Sequence, residues 1–118
     1  HKDSFNIKSA MQPIVDFARI YSLKHGIVQT NTLTRLFRLY TKHVLTNQQY
    51  IDLVQTYNYA MHLRFLRQIT TIIDEEKQPD NYINSKNLSY LDKAMLKEVF
   101  KKIGQFQQKL KAEFLGTT

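Results

Sequence analysis

A chain of 118 residues has the size of one domain, with enough side chains to close a core of its own and too few for two. Hydrophobic residues at 42% and charged residues at 23% match ordinary globular usage and exclude a disordered chain, while the lack of cysteine excludes a disulfide framework or a thiolate metal site. The net charge of +7 is uneven, with nine Lys or Arg against three Asp or Glu through Ile69 and eight against seven afterwards.

Such a basic N-terminal half favours an anionic partner, because summed surface charge steers encounter, and it also fits a solubilising surface. The longest apolar runs are far shorter than a membrane span, and the cytosol fits best. The opening His1-Lys2-Asp3-Ser4-Phe5 holds neither a signal-peptide core nor an initiator methionine, as expected of a piece of a longer polypeptide.

In chain order, the first predicted helix runs from about Lys8 to His25, with Ile7, Met11, Ile14, Ala18 and Tyr21 at helical spacing. Pro13 falls in its first turns or marks a late start, and Gly26 is placed to take the left-handed position after its end. Thr30-Asn31-Thr32 supplies N-cap oxygens for a shorter helix to about His43, with Leu33, Leu36, Phe37 and Tyr40 as its stripe. Thr46 or Asn47 caps the third and longest helix, expected to reach about Lys77, whose seam is read as Tyr50, Val54, Tyr57, Met61, Phe65, Ile69 and Ile72. After the loop Gln78 to Asn84, Ser89 caps a fourth helix with the seam Leu91, Met95, Val99, Ile103, Phe106, Leu110 and Phe114. The expected fold is an all-α antiparallel bundle of about four helices, two of them long and C-terminal, forming a single domain over residues 1–118 with no strand.

Catalytic patterns are absent from the sequence. There is no phosphate-cradling Gly-rich loop, no nucleophile elbow, and no pair of histidines on one helical face for zinc. The run Asp74-Glu75-Glu76 closes a helix with carboxylates pointing in different directions and reads as a solvated end. Arg38-x4-His43 resembles the R-x4-6-H motif of HEPN ribonucleases, but Arg19-x5-His25 fits the same loose pattern, so its repetition reports composition.

Polar residues set into apolar faces carry more. Asp16 and Arg19, spaced i,i+3, can pair on the first helix. Arg64 and Gln68, spaced i,i+4 on the long helix, need partners if they lie near the seam. Thr32 and Arg35 stand at a helix N-terminus, where backbone N–H groups favour an anion. These six are the candidate residues for holding a nucleotide or other anionic group, arginine being suited to it by its planar fork. The structural reading of the same residues is a buried ion-pair network that stabilises the bundle.

The segments from Pro13 to Ile27, from Thr30 to Leu36, Leu63-Arg64 with Gln68, and Pro79-Asp80-Asn81-Tyr82-Ile83-Asn84 followed by Leu88-Ser89 resemble, in this order, the putative nucleotidyltransferase substrate-binding domain family. Its members lie at the C-terminal end of bacterial proteins that also carry cyclic-nucleotide-binding and CBS modules. The family often has a histidine just before the glutamine of the long helix, where this chain has Arg67. The resemblance implies an accessory helical domain beside an upstream nucleotidyltransferase domain, arranged as in PII-uridylyltransferase and kanamycin nucleotidyltransferase. It implies that Mg²⁺ and catalysis belong to that other domain, that this chain needs no cofactor, and that the partner is a nucleotide or acceptor rather than nucleic acid or membrane. The alternatives are an interaction module that docks neighbouring signalling domains, and the HEPN-like ribonuclease.

Overall fold

The computed structural model describes residues 4–116. Strand β1 (Ser4–Asn6) leads straight into α1 (Ile7–Lys24), followed by α2 (Thr32–Thr41) and the long α3 (Asn47–Ile73). Strand β2 (Tyr82–Asn84), a 3-10 turn (Ser85–Asn87) and α4 (Tyr90–Leu115) complete the chain. The four helices pack against one another as an all-α bundle, as the sequence pattern led one to expect. At 1.5 Å per residue α3 and α4 are each about 40 Å long, which sets the longest dimension of 44 Å.

Each helix starts where a short polar side chain takes an otherwise orphaned amide. Asn6, Asn31, Thr46 and Ser89 accept from the backbone N–H of Ser9, Thr34, Gln49 and Asp92 respectively, and Thr46 with Gln49 forms a full capping box. Pro13 lies inside α1 rather than at its start. Gly26, at φ 70°, takes the left-handed position after α1. α3 stops at Ile73, short of the expected Lys77, because Glu76 turns into the left-handed region at φ 52° and the Lys77 amide reaches back to the Thr71 carbonyl at 2.9 Å.

Two core clusters fix the directions of the helices. Ile7 and Met11 of α1 pack with Ala60 and Leu63 of α3, Leu96 of α4 and Ile83 of β2. Further along, Phe17, Ala18 and Tyr21 pack with Leu36 and Leu39 of α2, Leu53 of α3, and Val99, Ile103 and Phe106 of α4. Hence α1 and α4 run the same way and α3 runs against both. At the second end the Tyr21 hydroxyl donates to Glu113 and the Phe114 ring meets Tyr21 edge-on at 5.3 Å, tying α1 to the last turns of α4.

Three expectations need correction. The α3 seam is Leu53, Thr56, Ala60, Leu63 and Thr71, one position round from the stripe of large residues, and Phe65 is 60% exposed. Thr56, Ala60 and Thr71 are buried small side chains along this seam, while Tyr50, Val54, Tyr57 and Met61 are partly buried against the core clusters beside it. In α4 the seam begins at Leu96, leaving Leu91 and Met95 exposed, and α2 buries Leu36 and Leu39 while Leu33 and Phe37 face outward. Third, a strand pair exists: β1 and β2 are antiparallel, with Ser4 opposite Asn84, Phe5 opposite Ile83 and Asn6 opposite Tyr82. Three residues per strand are too few for alternation to show in a sequence. This ribbon straps the start of α1 to the connection between α3 and α4, and the Ile7 amide extends it by donating to the Asn81 carbonyl at 2.8 Å.

Candidate functional site

The polar side chains of the ribbon end are organised around the last turns of α3. Arg67, with its side chain 22% exposed, donates from Nε and a terminal nitrogen to both oxygens of Asp80, at 2.8 and 3.2 Å. Its two terminal nitrogens reach both oxygens of Glu75, at 2.7 and 3.3 Å. One planar guanidinium thus bridges the two ends of the segment that links α3 to β2, a geometry arginine offers and lysine does not. The hydrogen bonds from Arg67 hold the Asp80 carboxyl below the usual carboxylate range, helped by the Tyr82 amide at 3.0 Å and opposed by burial. Asp80 and Glu75 in turn hold the Arg67 proton more firmly than usual.

One turn earlier on α3, Arg64 Nε donates to Asn81 Oδ1 at 2.8 Å and Gln68 Nε2 donates to the same oxygen at 3.3 Å. Arg64, Arg67 and Gln68 therefore hold Asp80 and Asn81 of the Pro79 to Asn84 loop from a single helix. On the α4 side, the half-buried Tyr59 hydroxyl donates to Asp92 Oδ1 at 2.9 Å. Burial, then that hydrogen bond and the Asp92 charge, push the Tyr59 hydroxyl up to about 12.

Between these supports lies a cleft of about 850 Å³. Leu63, Leu66, Ile83 and Leu88 give it apolar walls, Ser4, Thr70, Asn84 and Asn87 add hydrogen-bonding groups, and Arg67, Glu75, Asp80 and Asp92 bring its charges. Size, mixed lining and position at a junction of elements are those of a ligand site.

The structure places the six sequence candidates in three groups. Arg64 and Gln68 come together on Asn81 and brace the loop behind the cleft without lining it. Arg35 donates from Nε to the Gln29 carbonyl at 2.8 Å, and Thr32 is the first residue of α2, so both belong to the connection between α1 and α2. Asp16 and Arg19 approach to 3.9 Å with side chains 37% and 59% exposed, and Asp16 also accepts from Gln12. They form a surface pair, so the buried-network reading of these two residues does not hold. No hydrogen bond or ion pair joins the three groups among the described residues. The more extensive ion-pair network, part-buried, is at Arg67, whose acidic partners lie 8 and 13 positions away in the chain, beyond any helical spacing. The signal was present in Glu75 and Asp80, two acids bracketing a short loop after an arginine-bearing helix end. Glu75 is accordingly an ion-pair partner and not part of a solvated run.

Arg38 and His43 are both exposed, and neither lines the cleft. Among the described residues no group of three or more His, Asp or Glu side chains could hold a metal ion, and no helix is long and apolar enough to cross a membrane.

Over residues 1–114 the chain matches the family described as the putative nucleotidyltransferase substrate binding domain. It belongs to that family. Neither the curated proteins nor the solved structures gave a match. Membership makes this a substrate-binding domain associated with nucleotidyltransferases, and the conspicuous Pro79-Asp80-Asn81-Tyr82-Ile83-Asn84 segment is here the loop that Arg64, Arg67 and Gln68 hold against the cleft.

Proposed function

We propose that this chain is the accessory helical half of a PII-uridylyltransferase-like nucleotidyltransferase of the bacterial cytoplasm, found with CBS and cyclic-nucleotide-binding modules, and that its cleft holds nucleotide or acceptor for a catalytic domain upstream. In this reading Mg²⁺ and the transfer chemistry belong to the catalytic domain, and the present side chains bind and orient. The observation that carries it is the 850 Å³ cleft walled by the loop that Arg64, Arg67 and Gln68 hold in place. A bound substrate meets a wall whose conformation is already fixed, so little ordering cost remains to be met on binding.

Arg19, Thr32 and Arg35 stand in this reading as contacts for the anionic part of a substrate that spans the two domains, with Asp16 beside Arg19 as its ion-pair partner. Arg64 and Gln68 act as positioning residues through Asn81. The test is nucleotidyl transfer by the intact protein with the cleft filled by Thr70→Trp. KM for the substrate should rise at least tenfold with an unchanged melting temperature, whereas an unchanged KM overturns the assignment. Arg35→Ala and Arg19→Ala in the same assay should raise KM for the nucleotide, and unchanged values would remove them from the site.

A further inference from the structure

The charges around the cleft do not suit a polyphosphate. Among the described residues Arg67 is the only lining cation, and its three nitrogens are already spread over four carboxylate oxygens of Asp80 and Glu75. Lys77 stands 3.8 Å from Glu75, so this cluster is internally neutralised. A triphosphate entering here would find no uncommitted guanidinium among the described residues and would face the Asp92 carboxylate, whose charge no ion pair offsets there, across a partly dry cleft.

Asp92 is different from the other two acids. Among the described residues no cation pairs with it; its side-chain partner is the Tyr59 hydroxyl, which donates to Oδ1 at 2.9 Å. It stands in the first turn of α4, where the helix dipole stabilises that charge. It shares the cleft with the apolar side chains of Leu63, Leu66 and Leu88. A lone carboxylate, oriented by a half-buried tyrosine and set at the rim of an apolar wall, is complementary to a cation carried on an apolar stem.

We propose that the cleft takes the acceptor and not the nucleotide, and that the acceptor presents an ammonium or guanidinium on an apolar stem, with Asp92 as counter-ion and Leu63, Leu66 and Leu88 as the stem's walls. This rests on the reading of the cleft as a substrate site and assigns which substrate. The same chemistry is offered by a small polyamine-like acceptor and by the lysine or arginine side chain of a protein acceptor.

The test is a titration of the chain followed by its backbone amide resonances, with three probes: spermidine, a short lysine-containing peptide, and MgATP. The two cations should move the amides of Leu63, Leu66, Leu88 and Asp92 saturably, and the tighter of the two identifies the source. Asp92→Asn, nearly isosteric, should weaken cation binding at least tenfold while leaving amides remote from the cleft in place. Leu66→Lys, at a position on α3 that is 46% exposed, should do the same by charge repulsion. Equal affinity in the wild type and both variants overturns the proposal. If MgATP moves these amides and the cations do not, the cleft remains a substrate site and the assignment of acceptor falls. If none of the probes moves them, both readings fall.

Discussion

Arg67 and Asp80, thirteen residues apart, face each other with two nitrogens on two oxygens at 2.8 and 3.2 Å, and this pair converts the turn after α3 into a fixed wall. The second half of the guanidinium does the same for Glu75. With most of Arg67 buried, its removal would strand two carboxylates in a partly desolvated place.

Arg67→Ala should therefore destabilise the fold by about 1–3 kcal/mol, the range for charge-assisted hydrogen bonds at a half-buried site. Arg67→Lys should recover less than half of that, because an ammonium cannot serve both carboxylates edge-on. Thermal melts of the wild type and the two variants check it, and full recovery by lysine would show that charge alone matters.

The same pair sets a dependence on pH. Arg67 holds the Asp80 carboxyl below its ordinary range, so folding favours the charged form. A depressed folded-state pKa contributes stability that is complete above the unfolded value of about 3.9 and fades as pH falls through the lower folded value. Stability measured against Asp80→Asn should thus show a constant gap from about pH 7 to 5 that closes below about pH 4. A gap that persists unchanged in acid would mean that Asp80 acts through shape and not through charge.

Asp16 and Arg19 are predicted to matter little to the fold. At 3.9 Å and with both side chains more than a third exposed, the pair is screened by water. Asp16→Ala should cost well under about 1 kcal/mol. A loss above about 2 kcal/mol in denaturant unfolding would instead place the pair in a desolvated network.

What the sequence disclosed follows from the range over which each signal acts. Helix periodicity is local, so Ile7, Met11, Ile14, Ala18 and Tyr21 were legible as the buried face of α1, Ser89 as a cap, and the caps Asn31 and Thr46 to within the short polar runs Thr30-Asn31-Thr32 and Thr46-Asn47. In α3 two apolar stripes lie side by side, and the choice between them depends on how closely α1 and α4 approach. The stripe that is buried carries the small side chains Thr56, Ala60 and Thr71, residues that a search for large side chains passes over. The candidate site divides in the same way. Arg64 and Gln68 were visible as an i,i+4 pair, and their common acceptor Asn81 lies in the loop that carried the family resemblance. Arg67 meets Asp80 across the turn after α3, Tyr59 of α3 meets Asp92 of α4, and no spacing along the chain announces either pair.

The last prediction concerns two helix ends where a side chain occupies a position suited to glycine. His43 (φ 61°) follows α2 and Glu76 (φ 52°) follows α3, and in each case the next amide reaches back over the turn: Val44 to the Leu39 carbonyl and Lys77 to the Thr71 carbonyl, both at 2.9 Å. The His43 turn repeats the hydrogen-bond pattern that ends α1 at Gly26, where Ile27 donates to Ser22 at 2.9 Å, while the Glu76 turn closes one residue wider. A Cβ in the left-handed region costs roughly 1–2 kcal/mol, and glycine removes that cost while adding freedom to the unfolded chain worth about 0.4–1 kcal/mol. His43→Gly and Glu76→Gly should therefore each stabilise the protein, by about 0.5–1 kcal/mol, or about 2–5 °C in Tm for a domain of this size. Both side chains are exposed, so neither change removes a packed contact. The His43 variant has a second use, because it deletes the imidazole on which the ribonuclease reading depends. If the purified chain cleaves RNA and His43→Gly abolishes the cleavage, His43 is retained for chemistry. A more stable variant with no change in its behaviour towards RNA would make His43 a helix terminus and nothing more.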